Sequence, residues 1–366
     1  MPPLSMMMKP VSSACNMRCR YCFYADVAAH RAQASYGVMS AQTTETLIRK
    51  AFLYADQSVN FAFQGGEPTL AGVDYYRNFL SLVKKYNSRG LQVSYALQTN
   101  ALALTDEMCA LFREHHFLLG VSLDGCRETH DALRLDARGE GTYDRVLQGI
   151  AMLRKHGVDF NILCVVTEQV AARPHAVWNA LKEYGYLQFI PCIDDFEGDA
   201  NPYSLRPEAY GRFLIDTFDD YEKAMRAGRP VSERRFDNYL SILLGQRPEL
   251  CGMTGQCGLY FLVEADGGVY PCDFYVLDAY RLGNIHETSF ARMEKSAQSV
   301  DFRRSSLQLP EACRPCKWLS LCRGGCRRDR QATLESAPGE NRFCESYRMF
   351  FEGCFDRMQA LAASIR

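Results

Sequence analysis

An α/β fold of parallel strands joined by crossover helices, with a smaller metal-stapled domain behind it, is what this sequence predicts. Three observations carry that expectation. Strand-like and helix-like segments alternate through the first two thirds of the chain, polar motifs recur where the strand candidates end, and the cysteines cluster.

The strand candidates, in order, are "LSMMMKP" and residues 59–64, 91–99, 116–124, 158–167 and 187–192. Between them lie amphipathic stretches of helical period at roughly 41–56, 73–88, 105–115, 142–156 and 173–184. "TDEM" at 105–108 and "TYDRV" at 142–146 read as helix starts. Repeated β-α-β-α order argues for parallel strands, wound as an open sheet or as a full or partial barrel. In either arrangement chemistry gathers beyond the C-terminal strand ends. "CNMRCRYC", "QGGEP", "QTN" and "SLDG" follow the first four strands in turn. A further helical segment, roughly 206–226, ends at "AGRP" (227–230), a natural boundary. From about residue 235 the texture changes to short strands rich in Cys, Gly and Arg, and a closing helix spans roughly 345–364.

The 366 residues can bury a sizeable core. With 47% hydrophobic and 23% charged residues, the composition is that of a folded soluble protein. Lys plus Arg number 42 against 43 for Asp plus Glu, so net charge draws the chain neither to nucleic acid nor to an anionic membrane. The apolar start "MPPLSMMMKP" is too short for a signal peptide, and no stretch is long enough to span a bilayer. A cytoplasmic location is expected. In a reducing cytosol, 16 cysteines point to metal rather than disulfides.

Cys15, Cys19 and Cys22 have C-x3-C-x2-C spacing, with Tyr21 before the last. Three thiolates from one loop can hold three irons of a [4Fe–4S] cubane, leaving the fourth open to an exogenous chelator. The amino and carboxylate groups of S-adenosylmethionine suit such an iron. A structural zinc knuckle that borrows a distant Cys or His is the competing reading of these residues.

The loop resembles that of the radical S-adenosylmethionine (radical SAM) enzymes, and other strand-end motifs resemble theirs too. "GGEP" (Gly65–Pro68) is similar to the family's second motif, which lines the methionyl end of the cofactor. The resemblance implies cofactor contacts from Gly65, Gly66 and Glu67, from Ser122, Asp124 and Arg134, and an apolar contact to adenine from Ile193.

Further along, Cys257 opens C-x9-G-x4-C through Gly267 to Cys272. Cys313 opens C-x2-C-x5-C-x3-C-x17-C through Cys316, Cys322, Cys326 and Cys344, and Cys251 precedes Cys257 by six residues. Spacing alone groups Cys313, Cys316, Cys322 and Cys326, and paired zinc sites are the alternative occupant. The pattern resembles the seven-cysteine SPASM signature with an added upstream cysteine. That resemblance implies two fully ligated auxiliary [4Fe–4S] clusters, one on Cys251, Cys257, Cys272 and Cys326, the other on Cys313, Cys316, Cys322 and Cys344. With no open iron, they would move electrons.

Along nearly the whole chain, "SSACNMRCRYCFY", "FAFQGGEPTLAG", "LQTN", "VYPCDFYVLD" and "CRGGCRR" resemble the anaerobic sulfatase-maturating enzymes. The implied fold is a partial (β/α)6 barrel of the radical SAM type over 1–234, a SPASM domain over 235–345 and a C-terminal helix over 346–366. The implied reaction oxidises Cys or Ser in a Cys/Ser-x-Pro/Ala-x-Arg segment of an unfolded sulfatase to Cα-formylglycine. A deoxyadenosyl radical removes a Cβ hydrogen, and Asp273 acts as base. Tyr24 and Gln64 are substrate-contact candidates, and a small donor such as flavodoxin or ferredoxin would supply electrons. Cys126 and Ala101 depart from the usual "DGP" and "QTNG". A maturase that crosslinks ribosomal peptides is the rival within the family, although only fourteen residues precede Cys15 to hold a leader-binding domain. A zinc-stapled binding protein is the rival outside it. The remaining Cys109, Cys164, Cys192 and Cys354 read as buried small hydrophobes.

Overall fold

The computed structural model describes residues 3–196, 201–331, 333–334 and 336–365. Its chain folds into two compact units that do not follow chain order. The first comprises Met1–Ser122, Arg134–Phe160 and Leu259–Phe302; the second comprises Leu123–Leu133, Asn161–Gly258 and Arg303–Arg366.

In the first unit β1 (Leu4–Met8), β2 (Ser58–Phe63), β3 (Gln92–Thr99) and β4 (Phe117–Ser122) run parallel as neighbours in that order. In the second, β5 (Phe160–Val166), which begins at the last residue of the first, β6 (Tyr186–Pro191) and β7 (Ser232–Glu233) are likewise parallel. Helices Ala41–Tyr54, Val73–Tyr86, Asp106–Glu114, Tyr143–His156 and Pro174–Leu181 supply the crossovers. This is the expected α/β pattern of parallel strands with helical connections, with the short β7 added to the six strands expected. In the first unit the sheet runs on past β1, because β8 (Phe261–Val263) pairs parallel with β1, Met6 opposite Phe261. Antiparallel β9 (Gly268–Tyr270) and β10 (Gly283–Asn284) follow. Periodicity revealed β8 as a strand but could not say whose edge it joins.

Burial explains the order of layers. Phe61 and Phe63 on β2 meet Phe79 of the next helix edge-on at 5.1 and 5.0 Å, and Tyr76 meets Phe112 at 5.2 Å. All five side chains are buried, each worth about 1.5–3 kcal/mol of transfer free energy. In the second unit, helices Pro207–Arg226 and Cys344–Ile365 pack together, with Phe218 5.3 Å from Phe236 and 5.6 Å from Phe350.

Helix starts differ in detail from expectation. Thr105 caps its helix by accepting the Met108 N–H at 3.2 Å. Thr142 does not cap; its hydroxyl donates instead to the carbonyl of Arg134 at 2.8 Å. No helix among the described residues is long and apolar enough to cross a membrane.

Candidate active site

Cys15, Cys19 and Cys22 lie half-buried on the loop that leaves β1 and enters helix Phe23–Ala29. Short backbone bonds fold the loop: Ala14 donates to Val11 at 3.0 Å and Cys22 to Cys19 at 3.2 Å. It is pinned from outside by Arg18, whose N–H donates to Leu135 at 2.7 Å beside a bridge between Met17 and Asp136. The Met17 N–H points at Cys15 Sγ across 3.4 Å. Burial pushes the Cys15 thiol up, and that N–H pulls it back toward the thiolate.

"GGEP" packs against this loop. Gly66 has φ +59°, and a Cβ there would strike the carbonyl of Ala14; Gly65 has φ +97°, and a Cβ there would lie 2.6 Å from the Lys9 side chain. Both positions require glycine for conformation and for space. The Glu67 N–H donates to Ala14 at 2.8 Å, so motif and loop share one backbone contact. The buried Glu67 carboxylate joins strand ends. Oε1 accepts from Thr69 N at 3.0 Å, Thr69 Oγ1 at 2.6 Å and Thr99 Oγ1 at 2.7 Å, while Oε2 accepts from Asn100 N at 2.7 Å. Burial raises this carboxyl and the four donors oppose the rise. Three donors crowd Oε1, so Oε2 is the oxygen with room for an ammonium group.

Asn100, which the sequence marks only as the end of "QTN", completes this knot. Its amide donates to Asn16 Oδ1 at 2.7 Å and reaches Cys15 Sγ at 3.8 Å. Ser122 ends β4, buried. The Arg134 guanidinium, also buried, lies over the Tyr21 ring at 5.4 Å. In the second unit, Asp124 accepts from Val165 N at 2.8 Å, and Ile193 follows β6, half-buried.

Tyr24, Gln64 and Asp273 come together in the first unit. The Tyr24 hydroxyl donates to Asp273 Oδ2 at 3.4 Å and is also hydrogen-bonded to the Gln64 side chain. The Cys272 thiol faces Asp273 Oδ1 at 3.4 Å. Burial pushes the Asp273 carboxyl above the ordinary range, while the bonds from Cys272, its own backbone and Tyr24 pull it back. Lys9, a residue that sequence reasoning passed over, completes the group. It is buried, its Nζ lies 5.4 Å from the Tyr24 ring centroid, and it pairs with Glu264 at 3.0 Å. Arg31 holds the same Glu264 oxygen at 2.6 Å. A lone lysine closing the apolar run "MMMKP" was the one available signal.

Seven of the eight cysteines that the SPASM resemblance implies as auxiliary ligands lie in the second unit, in two neighbourhoods, and Cys272 lies in the first. Cys326 has Cys257 and Cys251 as electrostatic neighbours, and its Sγ accepts the Arg328 N–H at 3.4 Å. Cys322 has Cys313 and Cys316, and Cys344 in turn has Cys322. Burial pushes the Cys344 thiol up to about 12. All sixteen cysteines are outside disulfides. Among the described residues no three Cys, His, Asp or Glu side chains converge on a single ion. A cubane needs a broader set, one thiolate for each iron it binds. In the first unit the cysteine loop has a backbone N–H donor at Cys15 and the glycine cradle of Gly66, and in the second the grouped thiols have such a donor at Cys326; each suits a cluster. Cys109, Cys164, Cys192 and Cys354 are buried, and Cys126 is half-buried with Thr129 Oγ1 at 3.5 Å.

Known proteins resemble this chain along its whole length. Residues 10–172 match the radical SAM superfamily, and residues 251–317 match the SPASM iron–sulfur cluster-binding domain. The chain is 43% identical to a cysteine-type anaerobic sulfatase-maturating enzyme of Clostridium novyi (strain NT), covering 100% of this chain and 99% of the relative. It is 34% identical to a serine-type enzyme of Bacteroides thetaiotaomicron, covering 96% and 89%. It is similar in structure to native anSMEcpe with bound AdoMet and Cp18Cys peptide, at a TM-score of 0.95, 40% identity and full coverage of both chains.

Proposed function

The chain belongs to the anaerobic sulfatase-maturating enzymes of the radical SAM superfamily, and on that premise we propose that it oxidises a Cys or Ser in a Cys/Ser-x-Pro/Ala-x-Arg segment of an unfolded sulfatase to Cα-formylglycine. The observation that carries the reading is the contact of Tyr24, Gln64 and Asp273 beside Cys272. Greater identity to the cysteine-type relative than to the serine-type one favours Cys as the preferred target.

Family membership brings S-adenosylmethionine and three [4Fe–4S] clusters. When bound, these supply a hydrogen-abstracting radical and a sink for the remaining electron. The proposed cluster ligands are those implied by the sequence motifs: Cys15, Cys19 and Cys22 for the first, and the two auxiliary sets of four.

The chain's own residues bind, orient and move a proton. Glu67 Oε2 would receive the ammonium of the cofactor, Gly65 and Gly66 would let the backbone approach it, and Arg134 would pair with its carboxylate. Ser122 and, as the sequence motif implies, Ile193 would add further contacts. Asp273 takes the proton from the target thiol or hydroxyl. Ligation of Cys272 would remove its S–H, and with it the donor now facing Asp273 Oδ1. The carboxylate would then have one donor fewer and an acceptor position for the substrate, while Tyr24 holds Oδ2 and the backbone bonds of Asp273 and Phe274 remain. A small donor such as flavodoxin or ferredoxin supplies electrons.

Reconstituted protein with reductant, S-adenosylmethionine and a Cys-x-Pro-x-Arg peptide, or its Ser counterpart, tests this anaerobically. A hydrazine-reactive aldehyde at the target residue is expected, faster on Cys. Deoxyadenosine without aldehyde would sink sulfatase maturation and put peptide crosslinking in its place.

A further inference from the structure

Arg330 lies in the second unit, 4% exposed. Its guanidinium is held by main-chain carbonyls: Nη1 donates to Ser306 at 2.8 Å, Nε to Gly339 at 3.2 Å, and Nη2 to Gln308. Among the described residues no carboxylate pairs with it. Carbonyls satisfy the donors but cannot neutralise the charge, and a buried cation lacking an anion is strongly destabilising. Anionic clusters on the neighbouring cysteines would supply the missing negative charge.

The residues around it belong to both auxiliary sets. Cys313 is an electrostatic neighbour from one, Cys257 and Cys326 from the other. The backbone places it the same way. Ser306, whose carbonyl receives Nη1, also accepts the Cys257 N–H at its hydroxyl across 2.9 Å. Nη1 lies 3.7 Å from where Gly324 would carry a Cβ, and Gly324 stands between Cys322 and Cys326. Arg327, close by, adds positive charge near Cys257 rather than cancelling any.

We propose that Arg330 is the shared counter-charge of the two auxiliary clusters and holds both at a raised reduction potential. A cubane with four thiolates is anionic, and reduction adds one more negative charge. A fixed buried guanidinium favours the reduced form, as charges and hydrogen bonds around cluster sulfurs do generally. One cation serving both clusters keeps their potentials moving together, so neither becomes a trap for an electron passing between them. Arg330 acts through the clusters and touches no substrate. The inference rests on auxiliary-cluster ligation and is independent of which peptide the enzyme modifies.

The test is a redox titration followed by electron paramagnetic resonance, without peptide, on protein whose iron content equals three clusters. Arg330→Gln is expected to lower both auxiliary midpoints and leave the S-adenosylmethionine-responsive cluster unmoved; Arg330→Lys is expected to keep all three. Arg348→Gln is the comparison, since Arg348 is exposed, lies beside Glu340, and has Cys344, Cys316 and Cys313, all of one set, as its cysteine neighbours. It should produce a smaller shift in one cluster. Unchanged auxiliary midpoints in Arg330→Gln, or equal shifts in the Gln and Lys variants, would overturn the proposal. If Arg330→Gln loses iron, full iron and native midpoints in Arg330→Lys still support a charge role. Iron loss in both would show that the carbonyl-binding fork, rather than the charge, is what matters.

Discussion

The phenol of Tyr24 donates to Oδ2 of Asp273 across 3.4 Å, joining the helix that follows the cluster loop to the turn that follows Cys272. Lys9 lies against the Tyr24 ring from the end of β1. Three distant pieces of chain thus fix one carboxylate. Tyr24→Phe should leave S-adenosylmethionine cleavage intact but lower aldehyde yield per deoxyadenosine, by roughly tenfold or more, since a misplaced base loses much of its general-base contribution. Quantifying both products from one reaction checks this. An unchanged ratio would mean that the bond does not position Asp273.

Ala101 sits at φ +63°, a left-handed conformation that an L-residue adopts at a cost. Its carbonyl and methyl both press on Gly149, where an added Cβ would meet the carbonyl first and the methyl at 2.7 Å. Gly149→Ala should therefore cost roughly 1–3 kcal/mol through overpacking. Ala101→Gly should not rescue it, because the carbonyl remains. Urea melts of the single and double variants measure this, and full rescue would show that the methyl alone is the obstacle.

Glu233 caps helix Arg234–Leu243, accepting from Arg235 N and Phe236 N at 3.0 Å each while its other oxygen accepts from Phe189 N at 3.0 Å. Burial pushes its carboxyl from 4.5 to about 7. The raised value means that folding favours the protonated form. This contribution is fully present below pH 4.5 and is lost as pH rises through about 7, a change of roughly 3 kcal/mol at most. Glu233→Gln stays neutral and should flatten that decline. Urea midpoints of loaded protein at pH 5 and pH 8 test it; an equal decline in both proteins would assign the pH dependence elsewhere.

The parts of this molecule legible in its sequence are those written in short-range patterns. Periods of two and 3.6 placed the six parallel strands and their helices, because each element buries one face locally. "CNMRCRYC" and "GGEP" were readable because a tight loop must take its cysteines and glycines from adjacent residues. Long-range pairings left no such mark. Lys9 meets Glu264, and β1 meets β8, across most of the chain. Cys326 lies four residues from Cys322 in sequence yet has Cys251 and Cys257 as its neighbours, a grouping that spacing alone does not suggest. Ala101 read as a departure from a motif; only the backbone reveals its left-handed conformation and its press on Gly149.

The most direct measurement is anaerobic single-turnover of Asp273→Asn with a Cys-x-Pro-x-Arg peptide, counting deoxyadenosine and aldehyde by mass spectrometry. If Asp273 is the base, deoxyadenosine forms at close to the native rate while aldehyde falls by about two orders of magnitude or more. Native aldehyde yield from Asp273→Asn would contradict that role and move the proton acceptor to another group.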